Sequence, residues 1–291
     1  MSWRTIVISS TAKLDFQMGF LVIRREDTKK VHISEVGMLF IESTAVSITA
    51  ALLCELMKHK VKVVFCDEKR NPSSELIPYY GSHDCSAKLR NQIAWSDNIK
   101  KAVWTEIISE KIRNQADYLR LLDKNNSANK LEEYLKEMEF GDETNREGHA
   151  AKVYFNALFG KQFTRTEENS INAALNYGYS LILSCVNREI AYNGYLTQLG
   201  LFHDNMFNQF NLGSDLMEPF RPIIDRVVVN VMPEKFEHDE KMIMLQTLQQ
   251  IVIIDNRSEY LNRAIQVYCR SVFDALNDQD PSLIKFWRYE L

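Results

Sequence analysis

A change of hydrophobic period near residue 86 limits the fold more than any other feature of the chain. Before it, apolar residues come in short runs rich in β-branched types, at 3–9 (WRTIVIS), 16–23 (FQMGFLVI), 30–33 (KVHI), 38–41 (MLFI) and 61–66 (VKVVFC). Such runs read as strands. One stretch among them, 47–59, has helical spacing through Ile48, Leu52, Leu53 and Leu56. After it, residues 88–122 carry few breakers and place Trp95, Ile99, Val103, Ile107 and Ile108 on one side of a helix. Strands repeat every two residues and helices every 3.6, so the two halves demand different architectures.

Further helices are expected at 126–140, ending at Gly141, at 145–158, stopped by Phe159-Gly160, and at 170–192. A polar connector occupies 161–169, one or two more helices 240–276, and Asp278 to Pro281 introduces a short tail. Residues 68–78 (EKRNPSSELIP) hold the breakers of a linker or long turn. The expected class is therefore α+β: a β-sandwich-like domain over 1–73, a linker over 74–87 and a larger all-α catalytic domain over 88–291.

Composition enters mainly by exclusion. Five scattered cysteines, odd in number and without a CxxC pair, fit reduced thiols and disfavour a disulfide framework or zinc ribbon. No apolar run approaches the length of a membrane span, and the first residues carry no signal-peptide pattern, so a cytoplasmic protein is expected. The net charge of −4 divides into +3 for residues 1–165 and −7 for 166–291. Any nucleic-acid surface must then be a local basic patch. Arg24-Arg25, Lys29-Lys30 and Lys100-Lys101 are candidates, with a solvated surface as the ordinary alternative.

Chemistry-bearing residues concentrate between 193 and 222. His203 is followed by Asp215 and Glu218, twelve and fifteen residues on, across an Asn-, Phe- and Gly-rich loop. An imidazole with carboxylates suits a divalent cation that keeps open positions for phosphoryl chemistry. The same residue types equally occupy solvated surfaces. Asp204 either orients the neighbouring imidazole or is a solvated loop acid. Glu147 falls in the first turn of its helix, where the dipole favours a carboxylate, and shares a face with Ala150, Ala151 and Tyr154. That face is either the small wall of an enclosed site or a dipole acid followed by a core stripe. His149 points elsewhere on the helix, and His32, His59, His83 and His238 read as solvated or satisfied.

Four segments together carry a family likeness: RExxAAxxYF at 146–155, NAALNYGYSLILS at 172–184, GxLTxLGLFH at 194–203 and DLMEPFRPIID at 215–225. In this order they resemble the CRISPR-associated integrase of bacterial adaptation modules, over essentially the whole chain. The opening MSWRTIVIS and the chain length look like the type II-A branch. The resemblance implies that Glu147, His203 and Glu218 are the catalytic residues and hold Mg²⁺ or Mn²⁺. The last position, often Asp in the family, is Glu here, and Phe202 stands where many relatives have a second His. Asp215 matches an additional acid that binds a second ion or holds a water, and Tyr154 and Arg221 match motif positions. The implied reaction is attack of a DNA fragment's 3′-OH on a phosphodiester of the CRISPR repeat, with no covalent protein intermediate. The implied assembly is a homodimer, formed through the N-terminal domain, that binds double-stranded DNA. It joins a small companion adaptation protein in a heterohexamer, with other type II-A adaptation proteins as further partners. Two rival readings are a general metal-dependent DNA nuclease and a non-catalytic DNA-binding scaffold.

Overall fold

In the computed structural model, residues 4–78 and 82–289 are described; Trp3, expected to open the first strand, lies outside them. Strands β1 (Arg4–Ile8), β2 (Ala12–Gln17), β3 (Phe20–Arg24), β4 (Thr28–His32), β5 (Val36–Ile41) and β6 (Val46–Ile48) precede helix α1 (Ala50–Lys58), which is followed by β7 (Lys62–Cys66) and β8 (Pro72–Leu76). They form two four-stranded sheets, ordered β1-β5-β7-β8 and β4-β3-β2-β6. The run at 16–23, expected as one strand, is a hairpin instead. Met18 and Gly19 both have positive φ (49° and 86°), the geometry of a tight two-residue turn that matches strand twist.

Leu14, Leu21, Ile23, Leu39, Ile41 and Val63 fill the space between the sheets, with Leu52 and Leu56 of α1 packed against them. The strand β5, VGMLFI, is buried at every position, as expected for a parallel strand covered on both faces. Its alternate residues Met38 and Phe40, with Val64 and Cys66 of β7, belong to the core of the helical half. The strand domain does not close at residue 73 as expected: β8 runs to Leu76 and pairs antiparallel with β7. Pro72, read as a breaker, opens this edge strand, a position that needs no backbone N–H.

The second half begins with α2 (Cys85–Ala94), α3 (Asp97–Leu121) and α4 (Asn125–Lys136). Ser96 caps α3 by accepting from Ile99 N at 3.3 Å. Then come α5 (Arg146–Phe159), α6 (Ser170–Tyr192), α7 (Asn211–Leu216), α8 (Arg221–Val231) and α9 (His238–Gln246). Helix α6 lies deep in the core. A Cβ on its Gly178 would stand 2.4 Å from Ile224 Cγ2, so α8 packs there only against a bare backbone.

The expectation of an all-α second domain needs one correction. After α9, β9 (Ile251–Ile254) and β10 (Arg257–Tyr260) form a hairpin. Helix α10 (Leu261–Asp278) follows, and β11 (Arg288–Tyr289) returns to pair antiparallel with β9. Asp255 and Asn256, with φ of 52° and 58°, make the hairpin turn. The class remains α+β, with a mostly helical second half. Among the described residues, no helix is long and apolar enough to cross a membrane.

Candidate active site

Glu147 is placed by a doubly capped helix start. Asp142 accepts Arg146 N at 2.6 Å and Glu147 N at 3.1 Å. Asn145, in the left-handed region at φ 52°, accepts Gly148 N at 3.2 Å. Together they satisfy the first donors of α5 and fix the turn that carries the carboxylate.

His203 is placed by Asp215, which is fully buried. Its Oδ2 accepts Leu201 N at 2.6 Å and Phe202 N at 3.2 Å, and its Oδ1 accepts His203 N at 3.1 Å and faces His203 Nδ1 at 2.6 Å. One carboxylate thus ties down a loop and fixes the tautomer of its histidine, leaving Nε2 for another partner. Asp204, a candidate for that task, is exposed instead. The bond to Asp215 raises the imidazole pKa above its ordinary value, against the lowering effect of burial. Gly200 permits the arrangement: a Cβ there would stand 2.2 Å from His203 O and 2.8 Å from Asp215 Oδ2. Trp104 of α3 stacks on Phe202, with ring centroids 4.5 Å apart, and meets the His203 ring edge-on at 5.8 Å.

Glu218 lies in the turn between α7 and α8, only 4% exposed. Arg221 donates Nε to its Oε1 at 2.8 Å. Lys111, buried midway along α3, sends its ammonium to 2.5 Å from Glu147 Oε1 and 2.5 Å from Glu218 Oε2. The Glu147 contact is a hydrogen bond; Glu218 Oε2 has the charge contact without hydrogen-bond alignment. Burial pushes the Glu218 carboxyl up, but Arg221 and Lys111 bring it below its ordinary value. Burial likewise lowers Lys111, while Glu218 and Glu147 more than reverse this.

All three acid and imidazole residues expected from the sequence line one cleft of about 280 Å³. The start of α5 and a loop-and-turn segment distant from it in sequence converge there. As it stands, no group of three or more His, Cys, Asp or Glu is arranged to hold a metal ion among the described residues: the Lys111 ammonium sits between the two carboxylates. The donor set nevertheless fits a hard divalent cation in kind, with two carboxylates that already share one positive charge and an imidazole with a free nitrogen.

Sequence reasoning did not single out Lys111, Arg165, Tyr179 and Asp225, which also line the cleft. Arg165, from the connector before α6, donates to the side-chain oxygens of Asn172 and, at 2.6 Å, Asn176. Among the described residues no carboxylate pairs with it. Its guanidinium lies over the rings of Phe155 and Tyr179, and that of Arg221 lies 4.6 Å from the Tyr179 ring centroid. The Tyr179 hydroxyl donates to buried Asp225, whose carboxyl burial pushes up to about 6. Tyr154 is fully buried. A second hollow of about 330 Å³, walled by Phe155 and Phe163 and bordered by Lys152 and Lys161, shares Ala151, Phe155 and Arg165 with the cleft. Of the surface basic pairs, Arg24 is bound to Asp15, Lys100 to Asp97 and Lys101 to Glu143.

The family model described as CRISPR associated protein Cas1 matches residues 5–254. The chain belongs to the Cas1 family. It is 37% identical over 232 residues to a protein named CRISPR-associated endonuclease Cas1 from Neisseria meningitidis, covering 79% of this chain and 76% of that one. The fold is similar to a solved casposase bound to an integration product, with a TM-score of 0.75 at 17% identity over 96% of this chain and 92% of that one. It is also similar to a chain of a Cas6-RT-Cas1–Cas2 complex, with a TM-score of 0.74 at 15% identity. There 99% of this chain matches 36% of a longer chain. Membership in Cas1, read from four short segments, thus rests on most of the sequence, and the fold on nearly all of it.

Proposed function

We propose that this Cas1 is a metal-dependent DNA integrase of the type II-A branch. It would insert short DNA fragments at a CRISPR repeat by attack of a fragment 3′-OH on a repeat phosphodiester. The observation that carries the reading is the meeting of Glu147, His203 and Glu218 in one cleft that also holds cationic Arg165 and Arg221. The similarity to a named Cas1 endonuclease and the fold shared with a casposase support it.

Glu147, His203 and Glu218 would hold Mg²⁺ or Mn²⁺. When bound, such an ion polarises a phosphate oxygen and stabilises the leaving 3′ oxygen. The protein's own residues do the rest. Asp215 presents His203 through Nδ1 and so keeps Nε2 directed at the ligand position. Arg221 holds Glu218 in its charged form. Arg165, free of any carboxylate among the described residues, is positioned for a DNA phosphate, the anion for which a guanidinium fork is suited. The exchange of one phosphodiester for another needs no protein nucleophile.

The assembly proposed with this chemistry is a homodimer that joins a small companion protein in a heterohexamer on double-stranded DNA. Two-fold symmetry suits a reaction that joins both ends of one fragment, and the similarity to a chain of a Cas1–Cas2 complex supports the partner.

A strand-transfer assay tests the reading. It uses a labelled duplex with 3′-OH ends, a plasmid bearing leader and repeat, Mn²⁺ or Mg²⁺, and the companion protein. The expected outcome is a joined product that disappears with EDTA, with a blocked 3′ end, and in Glu147→Ala and His203→Ala. Nicking without joining would indicate a nuclease, and retained DNA binding without chemistry a scaffold.

A further inference from the structure

The cleft carries a positive charge of its own where the proposed ion would bind. Lys111 is 5% exposed, and its ammonium stands 2.5 Å from one oxygen of each acid. Two acids brought together out of water repel one another, and one would otherwise take up a proton. A buried lysine is itself costly to keep charged. Each therefore supplies what the other lacks. The contact with Glu218 Oε2 is a charge contact without hydrogen-bond alignment, so that oxygen's directional capacity remains open.

We propose that Lys111 is an internal counter-ion that exchanges with the divalent cation: it holds Glu147 and Glu218 together in the metal-free protein and leaves at least one of them when metal binds. This rests on the reading that these residues take a metal. A dication and an ammonium cannot share the same two carboxylate oxygens at these distances without strong repulsion. Loading is then a competition, and the protein's metal affinity is set below what the three ligands alone would give. Glu218 keeps Arg221 throughout, since that guanidinium binds the other oxygen, Oε1. The displaced ammonium remains in the cleft, where the next anion to arrive is a DNA phosphate.

The test is calorimetric titration of the full chain with Mn²⁺, in wild type and in Lys111→Met, which keeps the stem and removes the charge. Lys111→Met is expected to bind Mn²⁺ about tenfold or more tightly than wild type, the weight of one unit charge a few ångströms away in a partly screened site. Its melting temperature in EDTA should fall and should recover further with Mn²⁺ than that of wild type. Affinity within twofold of wild type, or weaker, overturns the proposal. Should the variant fail to fold, the wild-type chain decides. Acylation of Lys111, read by peptide mass spectrometry, should accelerate when Mn²⁺ saturates the protein, and an unchanged rate overturns the exchange. His203→Ala separates the two levels. Mn²⁺ binding that survives this change at full affinity sinks the metal assignment of the site, whatever Lys111 does.

Discussion

Asp225 places a carboxyl at the buried edge of the cleft, bonded to the Tyr179 hydroxyl. Burial raises it from an ordinary 3.8 to about 6. Between these values the folded protein keeps a proton that the unfolded chain has released. Stability contributed by this group is therefore complete below about pH 4 and is lost as pH rises to about 6. Asp225→Asn should show little stability difference from wild type near pH 4. It should gain up to about 3 kcal/mol over wild type by pH 7, measured by urea unfolding across that range. A constant difference across that range would refute the assignment. The legible and illegible residues of the site separate by the same physics. Glu147, His203 and Glu218 stand in segments whose resemblance to a family singles them out, although their local spacing alone leaves a solvated or core role equally open. Lys111 lies 36 residues from Glu147 on a helix whose face reads as ordinary core. Arg165 sits in what reads as a polar connector. Their roles arise only when α3 and the start of α6 pack against the cleft, and no spacing rule records that.

At the scale of elements, the short strand β11 does more than finish a sheet. It brings Trp287, fully buried, under the turn that holds Glu218, where its indole N–H donates to Pro219 O at 3.0 Å. Arg288 beside it pairs with buried Glu110 on α3. Trp287→Ala should cost about 3–5 kcal/mol of unfolding free energy, as large core truncations do, seen by denaturant titration. Trp287→Phe, which retains the packing and removes the donor, should cost about 1 kcal/mol. Equal losses in the two variants would mean that the indole N–H, and not packing, supports the turn. The elements differ in how plainly they are written. Helix α6 spans Ser170–Tyr192 as its apolar content predicts, because a long helix declares its period many times over. The β9–β10 hairpin offers only four residues a side and lies between two helices, so IVII at 251–254 reads as part of a helix. The Asp255-Asn256 pair was the available turn signal. Strand β8 was hidden by Pro72, a residue that breaks central strands but begins edge ones.

At the scale of the molecule, the seam between the halves is built by β5 and β7. Leu39, Ile41 and Val63 point into the sandwich, while Met38, Phe40 and Val64 point into the helices. Buried Lys62, from β7, pairs with Glu75 of β8, which in turn accepts from Ser184 of α6 at 2.9 Å. The two halves should therefore unfold together, as one calorimetric transition. Phe40→Ala, which opens a cavity on the helical side only, should lower that transition as a whole, by about 3–5 kcal/mol. Two resolved endotherms, with only the later one displaced, would contradict it. The seam also bears on how such a protein can change over generations. A strand with one face in each core answers to two sets of neighbours, so a side chain that suits the sandwich cannot drift without its adjacent residue continuing to suit the helices. The chain is consequently a poor candidate for shuffling: a strand half taken from a relative would arrive with a surface shaped for another partner. The helical half inherits its neighbour as a matched piece and not as an interchangeable cassette.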